Sequence, residues 1–134
     1  MSIRATIAAV TVAAATAALT PVTGASAATQ VRVISSCTAA KYKPTSFVFF
    51  CADAGAGLQH ASYDWWTAKT AHGTGTYYFN DCTPNCAAGH VHRQQAEFTL
   101  FRVKSTSQYG PLFARVEVDT PQGHHVFDVP TSTM

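Results

Sequence analysis

Charge is what this sequence has least of. Asp, Glu, Lys and Arg make up 12% of its 134 residues, against about 25% in an ordinary soluble domain. The basic residues are spread thinly and form no stripe. A nucleic-acid binder needs such a stripe to neutralise phosphates, so no nucleic-acid partner is expected. Beyond residue 27, eight basic residues face seven acidic ones, a formal charge of +1. Thr, Ser, Gln and His must then cover much of the surface.

Also missing is an apolar run long enough to span a bilayer. Ile7 to Leu19 is uncharged but only 13 residues long, and a spanning helix needs about 20. Arg4 precedes this run; Pro21, Gly24 and the small residues Ala25-Ser26-Ala27 follow it. That is the three-part pattern of a cleavable secretory signal. Residues 1–27 are therefore expected to be removed on export, and no Cys follows them to carry a lipid. The product is expected to be secreted, extracellular or associated with the cell envelope, without a transmembrane anchor. Residues 28–40 are expected to be a flexible segment or an edge strand, and 41–134 a single domain.

The sequence has no convincing helical period, no internal repeat and no second-domain linker. What it has instead is strand signal. Phe47-Val48-Phe49-Phe50-Cys51-Ala52 is apolar on both faces, as a central strand would be. Gly55-Ala56-Gly57 marks a turn, Leu58 to Trp66 an extended aromatic stretch, and Gly73-Thr74-Gly75 another turn before the strand Thr76–Phe79. Asn80 to Gly89 is a loop, and Phe98 to Val103 is a strand. Leu112, Ala114, Val116 and Val118 then alternate with Phe113, Arg115, Glu117 and Asp119, the period of a half-buried strand. Thr120-Pro121-Gln122-Gly123 is a hairpin turn. His124 to Val129 returns from it, with Phe127 and Val129 facing in. The expected fold is all-β: a small antiparallel sandwich or barrel of six or seven strands.

Four cysteines, Cys37, Cys51, Cys82 and Cys86, suit two disulfides in a small exported chain. A zinc site on Cys82-x3-Cys86 lacks a second short pair, and an oxidising compartment consumes thiols. Three pairings are open. The two local ones, Cys37–Cys51 and Cys82–Cys86, are favoured.

From Pro44 to Arg102 the chain resembles a group of small exported actinobacterial proteins. The resemblance rests on Pro44, Cys51-Ala52-Asp53, Tyr63 with Trp66, Ala71-His72-Gly73-Thr74-Gly75 and Asn80-Asp81-Cys82-Thr83-Pro84-Asn85-Cys86-Ala87-Ala88-Gly89. Tyr63 stands where the group has a first Trp, and Trp65 is extra. The resemblance implies export and a shared architecture, and nothing chemical.

No Gly-x-Ser-x-Gly elbow and no His-Glu-x-x-His helix is present. Tyr63, Trp65, Trp66, Tyr77 and Tyr78 fall within sixteen residues. Strand alternation sets Tyr63 and Trp65 on one face and Trp66 on the other. The five form either a stacking platform for a sugar or other flat ligand, or the core and rim of a β domain. His90-x-His92 has a chelating spacing but needs a third ligand, His72 or Asp81, so no metal or other cofactor is expected. Asp53 and Asp81 are either a carboxylate pair for glycoside hydrolysis or caps of turns. All six histidines lie beyond residue 27, so affinity for anionic surfaces is expected to rise in mild acid. The function expected from all this is a secreted, non-catalytic interaction module for an extracellular protein or glycan. An exported protease inhibitor using Thr83-Pro84-Asn85 is the alternative, and a small hydrolase comes third.

Overall fold

Aromatic and β-branched residues dominate the second half of the chain, and a computed structural model shows them in long antiparallel strands. The structure describes residues 29–133, together with Ala14 and Ala18; the expected signal segment, 1–27, otherwise lies outside the described residues. Six strands run in sequence order as a meander: β3 (Phe47–Val48), β4 (Ala56–Trp66), β5 (Ala71–Asn80), β6 (Val91–Thr106), β7 (Gly110–Thr120) and β8 (Gly123–Asp128). A short pair, β1 (Val33–Ile34) and β2 (Ala40–Lys41), makes a second sheet. No helix occurs among the described residues. The all-β fold with two disulfides is thus as expected.

The large sheet curls until its ends approach. Phe49, just past β3, packs 4.9 Å from Phe127 of β8, but no ladder joins the two strands. The inner face carries the core: Phe47, Phe49, Leu58, Phe98, Leu100, Phe113, Val116 and Val118 are fully buried. The N-terminal segment docks beside β7 where β8 stops. Arg32 bridges Leu112 in parallel, donating its backbone N–H to Pro111 O and accepting from Phe113 N. β7 thereby has both its edges occupied along most of its length.

Several local expectations shift. The apolar run Phe47–Ala52 is not a central strand; β3 is two residues long, and Phe50 is exposed while Phe47 and Phe49 are buried. The chain turns at Cys51, which is bonded to Cys37. Gly73 and Gly75 lie inside β5, not at a turn. Both face β4, and a side chain at Gly73 would collide with the Ser62 carbonyl. Glycine serves here for close approach of two backbones rather than for turning. The turn is Thr67–Thr70, where the Thr67 hydroxyl accepts from the amides of Lys69 and Thr70. At the last hairpin the loop is two residues, Pro121 and Gln122, and Gly123 takes a positive φ of 151°. The second disulfide is Cys82–Cys86.

Candidate functional site

β4 does not keep strict alternation. Register shifts occur between Gln59 and Ser62 and between Tyr63 and Trp65, and His60 has a φ of 52°. Bulges insert residues and re-aim side chains. Tyr63 and Trp66 therefore both turn inward, with ring centroids 5.0 Å apart, and only Trp65 turns out. This departs from the alternation that set Tyr63 with Trp65.

The five aromatics singled out above divide three ways. Tyr63 and Trp66 are structural: the Tyr63 hydroxyl donates to Pro44 O at 2.7 Å and Trp66 Nε1 donates to Val31 O at 3.0 Å. Burial pushes the Tyr63 phenol well above its ordinary pKa. Trp65 is 47% exposed on the outer face, stacked on His72 at 4.5 Å. Tyr78 is also on the outer face, six residues along β5 from His72 and opposite Arg93, so about 20 Å from the Trp65–His72 stack at the rise of a strand. Tyr77 is buried on the inner face. No single surface gathers the five.

Tyr77 does belong to a gathering of another kind. Residues directly opposite in an antiparallel pair share a face. The register sets Phe79 opposite His92, Tyr77 opposite Gln94, Val116 opposite Phe127 and Val118 opposite His125. At this end of the inner face the rings run in a crescent. His92 stacks on Phe79 at 5.0 Å, and Phe79 lies 5.5 Å from Tyr77. Tyr77 lies 6.0 Å from both His125 and Phe127. Phe127 meets Phe49 at 4.9 Å and Phe50 at 6.0 Å. Phe50 is 43% exposed, and His92 and His125 are exposed too. The side-chain oxygen of Gln94, Oε1, is out of contact with solvent and has no hydrogen-bond partner. A buried acceptor left unpaired costs the fold free energy, and this one is out of reach of a group docking from solvent.

Asp81 fixes one horn of this crescent. Its Oδ2 is 2.9 Å from His92 Nε2 and 3.7 Å from His90 Nδ1. Its Oδ1 accepts the amides of Thr83 and His90 at 3.0 and 2.9 Å. These bonds, that of the His90 amide first, hold its carboxyl well below the usual carboxylate range. Asp81 thus caps its loop and orients an imidazole. Asp53 likewise accepts the Gly55 amide at 2.9 Å. Among the described residues no three His, Cys, Asp or Glu side chains are arranged to hold a metal ion.

Histidine placement was not legible from spacing alone. His72 lies 3.6 Å from Asp64, and His124 Nδ1 lies 2.6 Å from Asp119. With His90 and His92, four imidazoles sit within reach of an Asp carboxylate. The crescent's other members, Phe49, Phe50, Phe79, His125 and Phe127, were also missed as a group. Period-two spacing pairs 77 with 79 and 125 with 127, but only the strand register brings the pairs together.

No family model matches the chain, and neither a curated protein nor a solved structure is found to match it. The geometry alone carries the functional reading.

Proposed function

We propose that this chain is a secreted, non-catalytic binding module that takes a flat, largely apolar group of an extracellular protein or glycan onto its ring crescent. The observation that carries this is the open end of the sheet, where Phe50, His92 and His125 stay exposed against half-buried Phe79 and Phe127. Aromatic faces offer apolar area, and the neighbouring exposed imidazoles supply polar partners to orient what is bound. Export, by the segment 1–27, and kinship with the small actinobacterial group belong to the same proposal. Two disulfides in a small chain support the oxidising compartment.

A glycan array and a pull-down from culture medium test the reading with the wild type, Phe127→Ser and Trp65→Ala. Retained ligands should be lost or weakened at least tenfold in Phe127→Ser and kept in Trp65→Ala. Loss in Trp65→Ala alone would move the site to the outer face and overturn the crescent.

A second reading, protease inhibition by the loop Thr83-Pro84-Asn85, has its own support. The loop is exposed yet tied down: the Asn80 side chain donates to Cys86 O and accepts from Cys82 N, and the Asn85 side chain accepts from Ala88 N. Pre-organisation of this kind lowers the cost of binding. Absence of inhibition across serine and metalloprotease panels at micromolar protein would retire it.

A further inference from the structure

The two edges of the large sheet are finished differently. β3 is two residues long and runs straight into the turn held by Cys37–Cys51. β8 is a regular six-residue strand, Gly123–Asp128, paired to β7 without interruption. Natural edge strands are usually guarded by Lys, Pro, a bulge or a covering loop. β8 has no Lys, Pro or bulge; the rings of Phe49 and Phe50 pack on its Phe127, but among the described residues no backbone hydrogen bond engages its outer side.

The register tells which backbone groups are left over. Val129 N donates to Ala114 O at 2.9 Å, so residues 114 and 129 form a hydrogen-bonded pair. Such pairs alternate along an antiparallel ladder. Residues 127, 125 and 123 therefore bond inward to β7, and the N–H and C=O groups of His124, Val126 and Asp128 point to the open edge.

We infer that β8 pairs antiparallel with β8 of a second copy of this chain, about a two-fold axis at Val126. Directly opposite residues must share a face, so a symmetric pairing requires the two residue numbers to sum to an even value. With Val126 opposite Val126, the three outward-bonding residues of each copy match one another, using every free edge group. The side chains match as well. His124 of each copy faces Asp128 of the other on the outer face, and the half-exposed Val126 side chains meet at the axis. On the inner face His125 faces Phe127, a ring pair that already stacks within one chain at 6.1 Å. The neighbouring symmetric registers match less well: with His125 at the axis Asp128 has no strand partner and Val126 meets His124, and with Phe127 at the axis His124 has no strand partner and Val126 meets Asp128. Opposite charges and apolar residues across a strand pair stabilise it, and a two-fold, self-complementary contact closes on itself. Asp128 and His124 each already have a partner in their own chain, Arg115 at 3.0 Å for Asp128 and Asp119 at 2.6 Å for His124, so the cross-strand pair adds to two existing contacts; the Asp128 side chain is 86% exposed.

Sedimentation equilibrium of the purified protein across the micromolar to millimolar range tests this. The wild type should pass from monomer to dimer mass. Val126→Lys and Val126→Glu each place like charges at the axis, and each should remain monomeric with unchanged near-ultraviolet circular dichroism. An equimolar mixture of the two should regain dimer mass, because Lys then faces Glu. A monomeric wild type at every concentration, a dimeric Val126→Lys, or a mixture that stays monomeric would each overturn the inference. In the first case an extended segment of another protein would be the remaining occupant of the edge.

Discussion

The two ends of the curled sheet are built from similar residues and finished in opposite ways. At one end Tyr63, Trp66, Phe98 and Phe113 pack edge to face at 5.0 to 5.5 Å, and Tyr42 closes on Trp66 at 5.1 Å. The polar tips of Tyr63 and Trp66 each find a backbone carbonyl, that of Pro44 and that of Val31. The stretch from Val31 to Pro44 supplies both acceptors and covers this end. At the other end, among the described residues, no comparable segment covers the rings. The rings there stop at exposed imidazoles. Aromatic content alone therefore does not mark a site. What separates core from candidate surface is whether the polar tips are satisfied by the chain's own backbone.

The sharpest way to break this comparison is to remove one ring from each end. Trp66→Ala should cost about 3–4 kcal/mol in urea unfolding, the lower part of the range for a buried Trp. Phe127→Ala, at the half-buried end, should cost only about 1–2 kcal/mol. Equal losses would mean that both ends are core. Next in size is the covering segment's own anchor. Replacing Cys37 and Cys51 by Ser frees a bridge between residues 14 apart and should cost about 3 kcal/mol on the chain-entropy model. Replacing Cys82 and Cys86, only 4 apart, should cost clearly less. Thermal melts of the two double variants decide the order. A smaller effect comes from the tip of one ring: Tyr63→Phe loses the bond to Pro44 O and should cost about 1 kcal/mol, with the fold retained by circular dichroism.

The smallest effect is in pH. His124 has its pKa raised above 6.5, chiefly by its hydrogen bond to Asp119. A raised folded value means a contribution fully present below 6.5 and lost as pH rises through that folded value. Asp81 has its value lowered from 3.8, so its contribution is present above 3.8 and lost as pH falls through the depressed value. Stability measured by urea midpoint should therefore sag on both sides of a plateau. His124→Gln should flatten the alkaline limb and leave the acid limb in place. An unchanged alkaline limb would detach His124 from the fold's stability.

Much of the fold is readable in the amino-acid sequence. The strand-rich character and the hairpin at Thr120–Gly123 followed from alternation and turn chemistry; the cysteine count implied two disulfides but left three pairings open, of which the favoured local one is present. The faces of β4 did not, because two bulges restart the alternation and set Tyr63 and Trp66, three residues apart, on one side. Gly73 and Gly75 misled for a related reason: glycine permits a turn, but it equally permits two strands to touch. The crescent was the least legible part. It joins Phe49 and Phe50 to Tyr77, Phe79, His92, His125 and Phe127, and that union depends on strand order and register, which local patterns do not carry.

The docking of Arg32 beside Leu112 also sets a schedule. The segment around Val31–Ile34 emerges early, yet its partner strand lies 80 residues further along, and the Arg32 guanidinium waits for the carbonyl of Tyr109. Pairings this distant close slowly and late. Until β7 has been made, the covered end of the sheet has no lid.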